Sequence, residues 1–222
     1  MVDFATLRQN MVESQVRTSN VTDRRVLRAM LDVPRELFVP ASLRSLSYMD
    51  ESIPYDGRDR RAGRGMMPAM AFARLLQLAD VGARDLVLVV GAGTGYGTAL
   101  VARLAMSVVA LECDQALADK ATATLAESGV DNAAVVVGPL ELGCPDEGPF
   151  DVIVFEGQVP EVPAAYLSQL REGGRLVAMV GSPTLARAQV MESRSGQWIS
   201  RADFAAPAPV LPGFATDPGF TL

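Results

Sequence analysis

Val87-Leu88-Val89-Val90-Gly91-Ala92-Gly93-Thr94-Gly95-Tyr96 is an apolar run that breaks into three alternating glycines. The next apolar run ends at Glu112, about 20 positions on, where the acid of a nucleotide-binding βαβ unit takes ribose hydroxyls. Glycine has no Cβ and tolerates positive φ, so a ligand can lie against such a turn. The stretch predicts a strand, a ligand-approaching turn and a helix.

Around it, short apolar runs rich in β-branched residues recur at Leu86–Val90, Val108–Leu111, Ala134–Val137, Val152–Phe155 and Arg175–Val180. Helical patterns over 96–105, 115–128 and 161–171 separate most of them, which predicts a parallel sheet covered on both faces. Weaker strand candidates follow at Ala188–Ser193 and Trp198–Phe204, and the Pro- and Gly-rich tail from Pro207 reads as extended. Ahead of the sheet, Phe4 to Val16 has helical spacing, and Thr22-Asp23 caps a helix that Pro34 ends. Residues 41–66 read as irregular, and Pro68 opens a helix through Ala79. The expected division is one domain: a helical, substrate-side segment over 1–80, a Rossmann-like core over 81–205 and a tail over 206–222.

The chain has 222 residues, of which 49% are hydrophobic, with a net charge of −6. That balance disfavours a nucleic-acid partner, which usually calls for excess Lys and Arg. No apolar run nears the ~18 residues of a membrane span, and Met1 to Thr6 does not resemble a signal peptide. Cys113 and Cys144 show no framework or metal spacing, so a reduced cytoplasmic setting and no metal are expected. Histidine is absent, which removes the commonest general base.

The glycine spacing, with Tyr96 where a dinucleotide fingerprint wants glycine, points away from NAD and toward S-adenosylmethionine. The turn amides and the helix start would hold its methionine portion and Glu112 its ribose. Methyl transfer to a carboxylate needs alignment rather than a base, because the acceptor is already ionised at pH 7. The lack of histidine then fits.

Met11-Val12-x-x-Gln15-Val16, Val21-x-Asp23-x-Arg25-Val26-Leu27-x-Ala29-Met30 and Val33-Pro34-Arg35-Glu36-x-Phe38-Val39-Pro40 resemble the N-terminal signature of protein-L-isoaspartate O-methyltransferases. The resemblance continues through Tyr48-x-Asp50, Ile53-Pro54, Gly91–Tyr96 and Pro149-Phe150-Asp151 to Val180-Gly181. It implies an α/β fold: a seven-stranded, mostly parallel Rossmann-like methyltransferase sheet with helices on both faces and an N-terminal helical extension. It also implies a cytoplasmic repair enzyme using S-adenosylmethionine on a protein or peptide carrying an isoaspartyl carboxylate. Cofactor-binding positions would be Gly91, Ala92, Gly93, Thr94, Gly95, Tyr96, Glu112, Cys113, Gly138, Pro139 and Leu140.

Departures fall near those positions. Met66 stands at the family's catalytic serine and Arg64 at its threonine; Val89 replaces an acid before the turn, and Gly138-Pro139-Leu140 a Gly-Asp-Gly segment. Phe155-Glu156-Gly157-Gln158 replaces Val-Thr-Ala-Ala. A lost charged hydrogen bond is worth about 1.5–3 kcal/mol. With no serine, the catalytic candidates are Arg64, as a substrate-carboxylate ligand or a solvated side chain, and Glu156, as a ligand for a cation or a helix cap. The basic run Arg58, Arg60, Arg61 and Arg64 reads as a solvated loop, Met66, Met67 and Met70 as core at a helix start, and Cys113 and Trp198 as buried packing. A same-fold methyltransferase with another acceptor, or a binding protein that has lost catalysis, are the alternatives.

Overall fold

The computed structural model describes residues 2–57, 63–182, 185–195 and 197–214. Arg58, Arg60 and Arg61, and the tail beyond Phe214, lie outside the described residues.

Seven strands form the main sheet in the order β5-β4-β3-β6-β7-β8-β9: β3 (Leu86–Val90), β4 (Ser107–Glu112), β5 (Ala133–Val137), β6 (Phe150–Val159), β7 (Leu170–Ser182), β8 (Leu185–Arg194) and β9 (Gln197–Ala205). The first five pair in parallel and, among the described residues, β8 alone runs the other way, antiparallel to both β7 and β9. Alternation along β3 assigns the faces. Val87 and Val89 join the core under α3 (Ala69–Ala79), α4 (Tyr96–Ala102) and α5 (Gln115–Glu127), whereas Leu88 and Val90 point into the opposite core. That second face is covered by a short α6 (Ala164–Leu167), the turns after β5, and Leu211 and Phe214 of the C-terminal segment.

The N-terminal helical extension is present as α1 (Phe4–Met11) and α2 (Arg24–Asp32). Asp23 caps α2 by accepting from the Arg25 N–H, and the chain leaves the helix before Pro34. The first helix is shorter than its apolar spacing predicts: beyond Met11 it widens into a π-turn over Val12–Val16. The 41–66 stretch is not wholly irregular, since Ala41–Leu46 is a 3₁₀ helix and β1 (Ile53–Pro54) pairs antiparallel with β2 (Gly65–Met66).

The helix expected over 161–171 is confined to α6. Pro163 delays its start. The Gln169 carbonyl accepts the Phe150 N–H at 2.7 Å, and Leu170 pairs with Phe150, so the sheet captures the chain where the apolar pattern suggested helix. The fourth apolar run likewise does not end at Phe155. Strand β6 runs to Val159, with a register shift against β7 between Val154 and Gln158. Glu156 sits in that irregularity, not at a helix start, so it is not a cap. Trp198, expected in the core, is half-buried on β9.

Candidate functional site

The carboxyl ends of the parallel neighbours β4, β3 and β6 lie side by side, the usual ligand position in an open α/β sheet. Gly91, Gly93 and Gly95 all have positive φ, at 81°, 56° and 95°, which explains the alternating glycines as a backbone requirement. The Gly91 and Ala92 N–H groups both donate to the Leu111 carbonyl, anchoring the turn to β4.

Glu112, the last residue of β4, is completely buried and fully engaged. Its Oε2 accepts from the Gly93 N–H at 2.7 Å, and its Oε1 accepts from the Cys113 and Asp114 N–H groups at 2.9 and 3.0 Å. Arg64 completes the set with a two-pronged contact, Nη1 to Oε1 and Nη2 to Oε2, each at 2.7 Å. Burial pushes the Glu112 carboxyl up, but the Arg64 and backbone donors outweigh it and hold the group below its usual range. Arg64 is therefore neither solvated nor turned toward an acceptor: it is paired with the predicted ribose acid.

The segment that carries Arg64 also carries Tyr55, which sequence reasoning missed. A Cβ at Gly93 would lie 2.0 Å from the Tyr55 hydroxyl, so that glycine is needed for the tyrosine as well as for its own φ. The tail approaches from the other side. The Gln158 N–H donates to the Pro209 carbonyl at 2.7 Å and the Leu211 N–H to the Gln158 carbonyl at 2.9 Å. That seats Leu211 so closely that a Cβ on Gly91 would come within 2.5 Å of it.

Beneath the turn lies a buried polar group that the motif reading only partly anticipated. Arg35 is completely buried, donates from Nε to the Ser47 carbonyl and from Nη2 to the Met67 carbonyl (both 2.8 Å), and stacks on the Tyr96 ring at 4.6 Å. Phe38 meets the edge of the same ring and accepts, through its carbonyl, the Thr94 hydroxyl at 2.7 Å. The Val33–Pro40 signature is thus the clamp that fixes the turn and the start of α4. Glu156 is 2% exposed and faces α4, where a Cβ on Gly97 would lie 2.2 Å from its Oε2. Burial raises its carboxyl to about 8, against the opposing pull of Arg35. Among the described residues, Glu156 Oε2, Arg35 Nη1 and the Tyr96 hydroxyl have no hydrogen-bond partner.

Ala92, Thr94 and Tyr96 are buried in the turn as expected. The Gly138 N–H donates to the Glu112 carbonyl, and buried Leu140 accepts the Tyr166 hydroxyl on its carbonyl, while Pro139 is exposed. Met66 and Met67 are core, and Met70 is half-buried. Cys113, expected in buried packing, is exposed, because β4 ends at Glu112 and the chain turns outward to Asp114, the N-cap of α5.

The family model for protein-L-isoaspartate(D-aspartate) O-methyltransferase (PCMT) matches residues 6–205. A Koribacter versatilis protein-L-isoaspartate O-methyltransferase is 38% identical over 197 residues, covering 89% of this chain and 86% of its own length. One from Methanoculleus marisnigri is 40% identical over 174 residues, covering 78% and 77%. Two solved structures bear on the fold. One protein-L-isoaspartate O-methyltransferase superposes with a TM-score of 0.81 at 22% identity, over 93% of this chain and 67% of its own. The other, a Plasmodium falciparum structure described as such a methyltransferase in complex with S-adenosyl-L-homocysteine, gives 0.74 at 18% identity, over 96% and 100%. The chain whose glycine turn and N-terminal clamp are described above belongs to the protein-L-isoaspartate O-methyltransferase family.

Proposed function

We propose that this chain is an S-adenosylmethionine-dependent methyltransferase that esterifies the side-chain carboxylate of isoaspartyl residues in proteins, in the cytoplasm. The family match across residues 6–205 carries this reading. The positive-φ glycines of the Gly91–Tyr96 turn and the buried Glu112 at the end of β4 support it.

The residue types fit the cofactor. Glu112 would accept the ribose hydroxyls, the turn would offer a close-approach backbone, and Gly138-Pro139-Leu140 would line the adenine side. In the present conformation the Glu112 oxygens are taken by Arg64, so the fit requires Arg64 to move. When bound, the cofactor supplies a methyl group activated by its sulfonium. The chain's part is alignment and exclusion of water, since an ionised carboxylate acceptor needs no base. The clamp of Arg35, Phe38 and Thr94 keeps the turn rigid for that purpose.

Met66 favours a second reading, a same-fold methyltransferase with another acceptor. It is apolar and 1% exposed where the family resemblance expects a serine, so no hydroxyl is offered there. Calorimetric titration with S-adenosylhomocysteine tests the cofactor. Tritiated S-adenosylmethionine with an isoaspartyl peptide and its aspartyl counterpart tests the acceptor. Base-labile label on the isoaspartyl peptide alone supports the first reading. Absence of label with intact cofactor binding moves the assignment to the second, and no binding at millimolar ligand overturns both.

A further inference from the structure

We propose that Arg64 is an internal competitor for the nucleoside, holding the Glu112 carboxylate that a ribose must use, so that cofactor binding and opening of the Arg64–Glu112 pair are one linked equilibrium. This rests on the cofactor reading above.

An ionised carboxylate offers about four lone-pair sites. Glu112 already accepts from both Arg64 nitrogens and from the Gly93, Cys113 and Asp114 N–H groups. Nothing is left for a ribose hydroxyl. The three backbone donors cannot leave without unmaking the turn or the start of α5.

Arg64 can leave. Its side chain keeps 18% of its surface exposed and borders a pocket of about 310 Å³ together with Tyr55, Gly63, Asp114 and Leu117. Its two Nη donors, one on each carboxylate oxygen, present the same two-pronged pattern as the adjacent hydroxyls of a ribose. When Arg64 departs, Oε1 keeps its two backbone donors but Oε2 keeps only the Gly93 N–H, which reopens a lone-pair site there for a ribose hydroxyl. Tyr55 lies beside Arg64, with the guanidinium 5.9 Å from its ring, so both side chains from one segment cover the turn. The apparent affinity is the intrinsic affinity reduced by the fraction of molecules with the pair open. The chain thereby sets its own threshold for cofactor.

Titration calorimetry of the wild-type chain, R64Q and R64K with S-adenosylhomocysteine, adenosine and L-methionine tests this. R64Q is expected to bind S-adenosylhomocysteine and adenosine at least about tenfold more tightly than wild type, with R64K between them, because lysine keeps the charge but not the fork. L-methionine, which has no ribose, should not change. R64Q affinity equal to or below that of wild type overturns the competitor role and leaves the cofactor reading standing. Tightening of all three ligands alike overturns it too, as general loosening of the crevice. No binding of S-adenosylhomocysteine by any of the three proteins overturns both readings together.

Discussion

Glu156→Gln should change how stability depends on pH. The Glu156 carboxyl has an ordinary value of 4.5, and burial in the native chain raises it to about 8. Between these values the folded protein holds a proton that the unfolded chain has released, so stability falls as pH rises through the window and levels off above it. At about 1.36 kcal/mol per pH unit, the full span amounts to roughly 5 kcal/mol, of which about 3–4 kcal/mol lies between pH 5 and 8. Arg35, Arg64 and Glu112 are the charged groups that act on it, and none of them is a histidine. The chain has no histidine at all, so few other side chains ordinarily titrate between pH 5 and 8. Glutamine cannot ionise. Its own unpaired amide carries a cost, but that cost is the same at both pH values and cancels from the comparison. Urea denaturation of both proteins at pH 5 and pH 8 measures the four stabilities. The wild type should lose about 3–4 kcal/mol more than E156Q over that interval, so the variant gains on it as the solution becomes alkaline. Parallel losses, within about 1 kcal/mol, would refute the claim that Glu156 is buried as the neutral acid.

Glu112→Gln should cost about 1.5–3 kcal/mol at pH 7, the worth of a charged hydrogen bond. Because the folded Glu112 carboxyl lies below 4.5, the wild-type advantage should be intact above that pH and disappear as pH falls through the lower folded value; denaturation at pH 7 and pH 3 checks it, and a constant difference contradicts it. Gly93→Ala forces a Cβ into a backbone at φ 56° and against the Tyr55 hydroxyl, so a loss of about 1–3 kcal/mol in chemical denaturation is expected, and an unchanged midpoint would mean the turn is not held as described. Leu211→Ala should destabilise by about 2–5 kcal/mol if the tail is part of the core over β3 and β6; a cost under about 0.5 kcal/mol would show that the segment is only loosely laid on the crevice.

How much of this molecule could be read in advance depends on the distance over which each feature is decided. The strand, the three left-handed glycines and the helix of Leu86–Ala102 follow from neighbours in the chain, and so does Asp114 as the cap of α5. The position of Glu112 at the end of β4 is nearly as local, since one βαβ unit contains it. The N-terminal signature was legible as a pattern, but its purpose was not. That Arg35 stacks on Tyr96, and that the Phe38 carbonyl holds Thr94, joins segments more than 50 residues apart.

The alternating sheet, the turn with its acid, and the family are legible in the residues alone. What surrounds the turn is set by contacts between distant segments. Arg64 lies 48 residues from Glu112 in the chain, so its choice between solvent, substrate and partner depends on where the β1–β2 pair is carried. Glu156 became a buried acid because the register of β6 against β7 shifts at that point, and register is a property of two strands rather than one. Leu211 reached Gly91 because the tail bonds to Gln158. Backbone geometry is written locally, whereas the partner of a buried charge is set by whichever distant segment the fold brings within reach.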